Sequence, residues 1–481
     1  MATSASDKVR LSYKQEATLG VIKSAGNMIE IRKTDESMSG TPKITESAEV
    51  VSDAQPTGQL IVGLDVGGGI NAELAPTISQ HDFIEAGMRS KWGGGIASSG
   101  AVIVIDTAAK TLTGTLTTFV TDGFAVGDMV ALSNFANAVN NVVVQITAVT
   151  ETVITYAGAS TMVDETGGGD EVVTRPAYLD WGNRFGGEID SGLQTLTIDN
   201  TAKTITRDSG SFVTDGFAIG DQPLLSGFVT SKNNTSIILT NVTALVLTYD
   251  AGSVLVDETG TGSEKVVLPA NTNFSFTLAK DFLDLTDKSL TYAGERVGSF
   301  KLDFKYGSIA SVAFTMMGTG YEVPATPFTT GKTISAVATE PALNASSDLG
   351  LVIVDGQQTN YCIEGINLDI NNNMLPIECM GAIAPKDQQA TGLSVNVGMD
   401  VFLQDANFDF HAKKLAQTPV AISYYVRDSS GRGYAVQVPA VQLSFSDAAG
   451  AGKRQLSKLS LSGVAKKDGT LNRTIRIYKL V

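Results

Sequence analysis

Cysteine and histidine, on which most metal sites and many catalytic sites depend, are nearly absent from this chain. Its 481 residues include two cysteines, Cys362 and Cys379, and two histidines, His81 and His411. One cysteine pair gives neither a disulfide framework nor a zinc knuckle, so we interpret both as buried thiols. Each histidine lies in a predicted helix, and the GxSxG sequence of many serine hydrolases is missing. We therefore predict no catalytic, cofactor-binding or metal-binding residue.

Long hydrophobic runs are also absent. The run AVIVI at 101–105 is far shorter than the roughly 18 apolar residues that a membrane helix needs. The first residues, MATSASDKVRLSYKQEA, contain no apolar segment of the kind that signal peptides carry. The sequence therefore predicts a protein that is made in the cytoplasm and has no membrane segment.

Positive charge is scarce. The chain has 35 basic and 50 acidic residues, which give a net charge of −15. Residues 101–173 carry −7 of this charge and residues 194–266 carry −4. Such a field repels phosphate backbones, and no basic stripe offsets it, so the composition argues against a nucleic-acid-binding protein.

These two acidic segments are copies of one sequence. FVTDGFAVGD at 119–128 returns as FVTDGFAIGD at 212–221, and VDETG at 163–167 returns at 256–260, always at an offset of 93 residues. A solenoid needs at least three stacked units, so two copies do not form one. We predict two separately folded β domains, each close to the smallest size that supports an independent core.

Within each copy, short β-branched runs alternate with turns. TDG and GD dipeptides separate KTLTGTLTTFV from MVALSNF in the first copy, and NAVNN precedes VVVQITAV and TVITYAG. No stretch has helical periodicity. The pattern predicts a small β-sandwich or β-barrel of five to seven strands.

The acidic turn VDETGGGDE in the first copy offers a possible calcium site, because calcium prefers oxygen ligands on a flexible backbone. The second copy has fewer acids at the corresponding turn. A solvated acidic turn is the interpretation that we prefer. The candidate ligands are Asp164, Glu165, Asp170 and Glu171 in the first copy, and Asp257, Glu258 and Glu264 in the second.

The remaining 335 residues show one pattern twice. Strands at 58–66 and 70–74, joined by a GGG hairpin turn, precede a helix at 79–92 with Ser79 as its N-cap. A strand at 392–403 likewise precedes a helix at about 404–417. Alternating strands follow each helix, at 298–318 and at 439–464, and such alternation means one buried face and one hydrated face. We infer a duplicated unit of one β-sheet and one helix.

Glycine-rich segments suggest an enzyme only weakly. LDVGGG at 64–69 has the composition of a phosphate-binding turn, but such a turn should lead into a helix, and here it leads into INAEL. We interpret it as a hairpin turn and WGGGIASSG at 92–100 as a hinge. His81 is interpreted as a solvated helix residue, and Trp92, Phe408 and Phe410 as core.

A family resemblance follows from the opening of the chain, KQEATLGVIKSA, MIEIRKTDESMSGTPKITESAEVVSDAQPTGQLIVGLDVGGGINAEL and HDFIEAGMRSKW. These segments resemble the N-terminal half of the major tail tube proteins of long-tailed, non-contractile bacteriophages. Residues 273–318 and 434–464 are similar to the same family, and the repeated module is similar to a β insert that recurs within it. The resemblance implies stacked rings of identical subunits around a lumen that passes DNA.

The resemblance completes the predicted fold class. It is mainly β, with a duplicated tail-tube β-sheet or sandwich module, one flanking helix in each copy, and two inserted small β-sandwich or β-barrel domains. The predicted division is an N-terminal arm with the first strands (1–55), the first tube module (56–100 and 267–323), the inserted β domains (101–173 and 194–266), two linkers (174–193 and 324–348) and the second tube module (349–481).

The duplication also bears on the ring. Rings of this family are generally six-fold with one module per chain, so two modules per chain favour three copies in a pseudo-hexamer. The alternative is a six-copy ring in which the second half only completes the sandwich of the first. The resemblance further implies contacts with other tail proteins, such as the tape measure and the tail terminator, and DNA that passes without sequence-specific binding. We expect the protein in the virion tail.

Two other function classes compete with this interpretation. The tandem modules suit a β-sandwich surface adhesin or another virion decoration protein, but no export signal supports an adhesin. A sugar-binding or sugar-cleaving enzyme is disfavoured because no pair of catalytic carboxylates can be placed.

Overall fold

A computed structural model of the chain gives its fold. It describes residues 3–16, 18–21, 26–49, 58–90, 92, 95–115, 117, 119–120, 122–158, 161–181, 189–215, 217, 223–235, 237, 239–250, 253, 255–268, 273–359, 361–448, 455–471 and 473–480. We call 3–90 with 273–322 the first half, 349–480 the second half, 96–175 the first insert and 189–268 the second insert. The prediction of a mainly β fold is confirmed.

Both halves consist of long strands and one helix each. The first half contains the strands Val9–Gln15, Met28–Glu30, Asp35–Glu36, Ser39–Glu46, Gln59–Glu73, Phe276–Phe282, Ser289–Lys305, Ser311–Met317 and Gly320–Glu322 and the helix Ile78–Met88. The second half contains the strands Leu349–Val354, Gln357–Gln358, Ile363–Asn371, Met374–Ile377, Asp387–Ala390, Ser394–Phe402, Val420–Arg427, Gly433–Ser444, Lys458–Ala465 and Arg476–Leu480 and the helix Phe410–Ala416.

Eight of these strands form one continuous antiparallel sheet across both halves. Each half contributes four of the eight strands. Numbered along the chain, the four lie side by side in the order 1, 2, 4, 3 in both halves, so the same topology occurs twice. The order across the sheet is Ser39–Glu46, Gln59–Glu73, Ser311–Met317, Ser289–Lys305, Ile363–Asn371, Ser394–Phe402, Lys458–Ala465, Gly433–Ser444.

Two further strands of each half flank its third strand in an equivalent way. Phe276–Phe282 pairs with Ser289–Lys305 and carries Val9–Gln15 on its other side. In the second half Val420–Arg427 pairs with Gly433–Ser444 and carries Leu349–Val354. The halves meet where Ser299 to Lys305 pair with Asn371 to Gly365.

One core serves both halves. Phe300, Leu302 and Phe304 are buried in a cluster that includes Ile366 and Leu368 of the second half. The alternate side chains of the same strands lie on the opposite, hydrated face, as the period-two pattern predicts.

The GGG segment is not a hairpin turn, so that prediction is wrong. Gln59–Glu73 is one continuous strand that passes through the three glycines. Gly67 and Gly68 have φ angles of 139° and 154°, which favour glycine. A Cβ atom on Gly67 would lie 2.3 Å from the Met316 carbonyl oxygen, and one on Gly68 would lie 2.4 Å from that of Ser37. Glycine is required here because backbone approaches the strand from two sides.

The two helices are shorter than predicted. The first begins at Ile78 with Thr77, not Ser79, as its N-cap and ends in a left-handed residue, Arg89. The second follows the 3₁₀ turn Asp405–Asn407 and ends in the left-handed residue Gln417. The left-handed caps stop both helices because they break the run of helical φ and ψ angles.

Each insert has its own hydrophobic cluster. The first forms an open sheet whose end strands are Glu165–Thr166 and Ile96–Ser99, so within the described residues it is no closed barrel. Its strands are Ile96–Ser99, Ile103–Asp106, Thr111–Gly114, Met129–Ser133, Val143–Val149, Val153–Ala157, Glu165–Thr166 and Val172–Arg175.

The second insert repeats most of this arrangement, but its described strands fall into two sheets. It also contains a helical turn, Phe212–Asp215, where the sequence predicted no helix. Its strands are Ile189–Asp190, Leu196–Asp199, Thr204–Arg207, Leu224–Ser226, Leu239–Val242, Val246–Tyr249, Glu258–Thr259 and Lys265–Leu268.

Both predicted linkers contain strands. Ala177–Asp180, within 174–193, pairs with Arg476–Leu480 of the second half. Ile334–Ser335, within 324–348, pairs in parallel with Met28–Glu30. The linkers therefore form part of the core sheets of the two halves.

Candidate assembly surfaces

The hydrated face of the eight-stranded sheet is the first candidate surface. Along its central strand, Lys301, Asp303 and Lys305 alternate in charge, and the Lys301 ammonium lies 3.5 Å from the Asp303 carboxylate. Across the junction the register places Lys301 opposite Asp369. Glu73, Asp400 and Lys458 add further charges of both signs to this face, and most of its other positions carry short polar side chains or glycine, which makes the face hydrated. They include Ser299, Ser311, Thr315, Asn367, Asn371, Asn396, Gly398, Ser460 and Ser462.

The two outer edges of this sheet form the second candidate surface. Ser39–Glu46 pairs with Gln59–Glu73 on one side, and in the described part of the chain no strand lies on its other side. Gly433–Ser444 pairs with Val420–Arg427 only as far as Val441, so its last residues face no described strand on that side. Each half thus contributes one open edge.

These two edges correspond to the two strands that join the halves. Ser289–Lys305, the counterpart of Gly433–Ser444, is paired at the matching place by Ile363–Asn371. The counterpart of Ile363–Asn371 in the first half is Ser39–Glu46. The open edge of Gly433–Ser444 therefore lacks a neighbouring strand of the type to which Ser39–Glu46, the other open edge, belongs.

The two helices also differ in how far the rest of the chain covers them. The first helix is covered by the second half: the Gly87 carbonyl oxygen accepts a hydrogen bond of 2.9 Å from the Asn372 side chain, and the His81 ring lies 5.6 Å from that of Tyr434. In the second helix only Phe410 is buried, and Leu415 is 83% exposed. Among the described residues, nothing covers that outer flank.

Two apolar hairpins extend beyond one end of the sheet. The first is the outer part of Ser39–Glu46 with Gln59–Glu73, and the second is Met374–Ile377 with Asp387–Ala390. The Lys43 ammonium lies 2.8 Å from the Glu378 carboxylate and links them. Exposed apolar patches of this kind mark protein contacts. The exposed apolar side chains are Ile44, Leu60, Ile61, Val62, Leu375, Ile377, Met380 and Ile383.

The first insert is docked on the second half through buried charges. Asp128, which is fully buried, lies 2.9 Å from the Arg175 guanidinium and 2.8 Å from that of Arg476. Arg476 also binds Asp180 at 2.5 Å and stacks on the Tyr178 ring at 3.8 Å. Burial alone lowers the pKa of Arg476, but the surrounding charges, Asp180 first, raise it above its usual value.

Apolar contacts complete this docking. Met129 and Val143 of the insert pack in one buried cluster with Tyr425, Ala435 and Tyr478 of the second half. The Met129 amide also donates to the Tyr478 hydroxyl at 3.1 Å. The second copy has Gln222, Ser236 and Leu268 at the positions of Met129, Val143 and Arg175, so it lacks the residues that make this contact.

The acidic turns bind backbone amides of their own domain. Asp164 accepts from the Thr107 amide at 2.8 Å, and Glu165 accepts from the Ala136 amide at 2.8 Å. Glu171 accepts from the Gly168 and Gly169 amides at 2.5 and 3.0 Å. In the described part of the chain, no three acidic, histidine or cysteine side chains form a group that would hold a metal ion.

Glu171 and Glu264 are only 1% and 0% exposed, so a solvated turn is the wrong interpretation for these two acids. Burial raises the pKa of each, but the hydrogen bonds from backbone amides outweigh it and lower the pKa below its usual value. The same balance lowers the pKa of Glu258, and its carboxylate accepts from the Val229 amide at 2.8 Å. Asp170 is exposed, and Asp257 accepts from the Asn200 amide at 2.6 Å.

Several single-residue predictions need correction. His81 is not solvated: its Nε2 atom is buried without a partner, and burial, with a smaller effect from Lys479, lowers its pKa to about 4. Cys362 is exposed and Cys379 half-buried, so neither is a buried thiol. Phe408 is 61% exposed, whereas Trp92 and Phe410 pack in the core as predicted.

The remaining candidates do not come together. His411, on the second helix, lies 3.3 Å from Asp447. His81 is on the first helix, so the two histidines belong to different halves. LDVGGG lies within a strand, and glycines 93 and 94 of the predicted hinge are outside the described residues. Sequence analysis missed the buried Asp128–Arg476 pair. The one available signal was Arg175, which has no basic counterpart in the second copy.

Open strand edges, apolar hairpins and a hydrated sheet are typical of structural proteins that extend their sheets into neighbouring copies. A family model described as phage tail tube protein matches residues 6–465. The chain therefore belongs to the phage tail tube protein family, which confirms the resemblance to tail tube proteins, and it is a structural component of the virion tail. This family is structural, not enzymatic, and its members assemble into a tube.

A search of curated proteins gives no match to the chain. Among the described residues, no helix has the length and apolar character needed to cross a membrane.

Proposed function

We propose that this protein is the major tail tube subunit of a long-tailed, non-contractile phage, and that it forms stacked rings through which DNA passes. The observation that carries the proposal is the pair of complementary open edges. The end of Gly433–Ser444 takes the Ser39–Glu46 strand of the next copy, as Ser289–Lys305 takes Ile363–Asn371 within the chain. Strand pairing of this kind removes both edges.

Three copies close the proposed ring. Each chain supplies two sheet units of the same topology, so three copies place six units around a pseudo-six-fold axis. Two kinds of junction alternate, one within a chain and one between chains. The outer flank of the second helix, with Leu415, is covered by the next copy, in the way that Asn372 and Tyr434 cover the first helix.

The hydrated face forms the proposed lumen. Its alternating charges and short side chains supply no basic stripe, so DNA finds no strong binding site and moves through without sequence-specific contacts. The helices lie against the opposite face of the sheet and therefore on the outside. This role requires no catalytic residue, cofactor or metal.

The apolar hairpins carry the proposed stacking. Both project from the same end of the sheet, where Leu60 to Val62 and Met380 expose apolar surface that a second ring would bury. At the ends of the tube the same surfaces meet other tail proteins, such as the tape measure and the tail terminator.

The inserts lie on the exterior in this arrangement, because their acidic charge would repel DNA if they lined the lumen. We retain the division into two tube modules and two inserted β domains as part of the proposal. The linker 324–348 crosses between modules on the outside.

Electron microscopy of the concentrated, purified protein tests the proposal. We expect rings or tubes of constant diameter. Particles that remain single subunits at every concentration would contradict a self-assembling tube subunit. Irregular aggregates without a central channel would do so as well.

A further inference from the structure

The open edge of the second half is occupied by side chains of its own helix. The Gln417 side-chain amide donates to the Leu443 carbonyl oxygen at 3.5 Å. The Lys414 ammonium donates to the Phe445 carbonyl oxygen at 3.2 Å and to the Asp447 carboxylate at 2.8 Å. These two carbonyl groups are the ones that point away from the neighbouring strand Lys458–Ala465, towards the edge that has no strand.

Further contacts hold the same segment. The Lys414 ammonium lies 4.3 Å from the centre of the Phe445 ring, and the His411 ring lies 5.3 Å from it. His411 Nδ1 is 3.3 Å from the Asp447 carboxylate. Residues 411, 414 and 417 are spaced by three, so one face of the helix holds residues 443–447.

The first half provides an internal comparison. Counting back from the left-handed caps Arg89 and Gln417, the counterpart of Lys414 is Ala86, which has no side-chain donor. Arg89, the counterpart of Gln417, donates instead to the Asn273 side chain at 2.8 Å. There the strand edge is already paired by Ile363–Asn371. The side-chain contacts thus occur at the open edge and not at the paired one.

We propose that Lys414 and Gln417 are gatekeepers of the ring-closing edge, which accepts the edge strand of a second copy only after they release the Leu443 and Phe445 carbonyl groups. The inference rests on the proposed ring. Lysine on a strand edge is a common protection against uncontrolled pairing. Backbone amides of the incoming strand replace the side-chain donors, so the carbonyl groups stay satisfied while the release slows the first encounter.

The test is the rate of ring assembly after a concentration jump, followed by light scattering. Lys414→Met removes the donor and keeps the helix, and we expect assembly about threefold faster, the size that an exposed ion pair supports. Lys413→Met is the matched control, because Lys413 lies next to it but pairs with Asp355 and Asp409. Its assembly rate should equal that of the wild type.

A second variant keeps the proposal testable if Lys414→Met does not fold. Asp447→Asn leaves the helix intact and removes the carboxylate that holds Lys414, so it should also assemble faster. Higher salt should accelerate the wild type but not Lys414→Met, since salt screens the exposed Lys414–Asp447 pair.

The outcomes distinguish the gatekeeper role of Lys414 and Gln417, which we call the gate, from the proposed ring. If wild-type rings form and both variants assemble at the wild-type rate or more slowly, the gate is overturned and the ring stands. If the variants form rings and the wild type does not, the gate is supported. If no version of the protein forms rings, the proposed function fails and the gate fails with it.

Discussion

At the residue scale, the glycines of the long second strand show how closely the sheet is packed. We expect Gly68→Ala to destabilise the protein by roughly 1–3 kcal/mol, because alanine strains the φ angle of 154° and its Cβ meets the Ser37 carbonyl oxygen. Urea unfolding measures the effect. Gly392→Ala is the control, since a Cβ there has no atom within 4 Å, and equal loss in both variants would contradict the packing argument.

The buried ion network makes a second residue-scale prediction. Arg476→Met leaves Asp128 with one cation and Asp180 without its ion-pair partner, and breaking a buried pair costs about 3–5 kcal/mol. The free energy of unfolding should fall by an amount of this order. Lys467→Met, at an exposed position, should change it little. An Arg476→Met variant as stable as the wild type would show that the network does not hold the insert in place.

His81 predicts acid sensitivity. Its folded pKa of about 4 lies below the ordinary 6.5, so the folded state binds fewer protons than the unfolded state between these values. Stability from this group is complete above pH 6.5 and is lost as the pH falls towards 4. His81→Phe, which keeps a ring beside Trp92 and Tyr434, should flatten the stability profile in this range. Parallel profiles for variant and wild type would refute the prediction.

At the scale of elements, the two inserts should respond differently to deletion. Removal of 194–266 with closure of the chain should leave the core and its assembly intact. Removal of 101–173 exposes Tyr425, Ala435 and Tyr478 and takes Asp128 from Arg476, so we expect a lower unfolding temperature and impaired assembly. Thermal unfolding and electron microscopy of both variants test this, and equal tolerance of both deletions would contradict a structural role of the first insert.

Sequence pattern predicted elements well where the signal is local. The alternation around Leu302 and Phe304 marks the buried face of the long strand, and the repeat at an offset of 93 residues marks the inserts. The turn at GGG was mispredicted because glycine serves both turns and close backbone approach, and only the neighbouring strands decide between them. The strand Ala177–Asp180 depends on a partner almost 300 residues away, which no local pattern encodes.

At the scale of the whole molecule, duplication accounts for both the continuity of the sheet and its open ends. A chain that joins two units of one topology satisfies one junction internally and leaves one strand of each kind unpaired. The sequence indicated the duplication but not the edges, because the exposure of Leu415 and the pairing of Ser39–Glu46 follow from the folded arrangement. The sequence therefore predicts the kind of assembly surface but not the residues that form it.

The rotational symmetry of the tube, seen in cross-section by cryo-electron microscopy, tests the central claim most directly. We predict true three-fold symmetry with pseudo-six-fold inner walls, and each insert three times per ring. The density should also show Ser39–Glu46 of one copy beside the end of Gly433–Ser444 of the next. True six-fold density, with both inserts six times per ring, would contradict the three-copy ring and the edge pairing on which it rests.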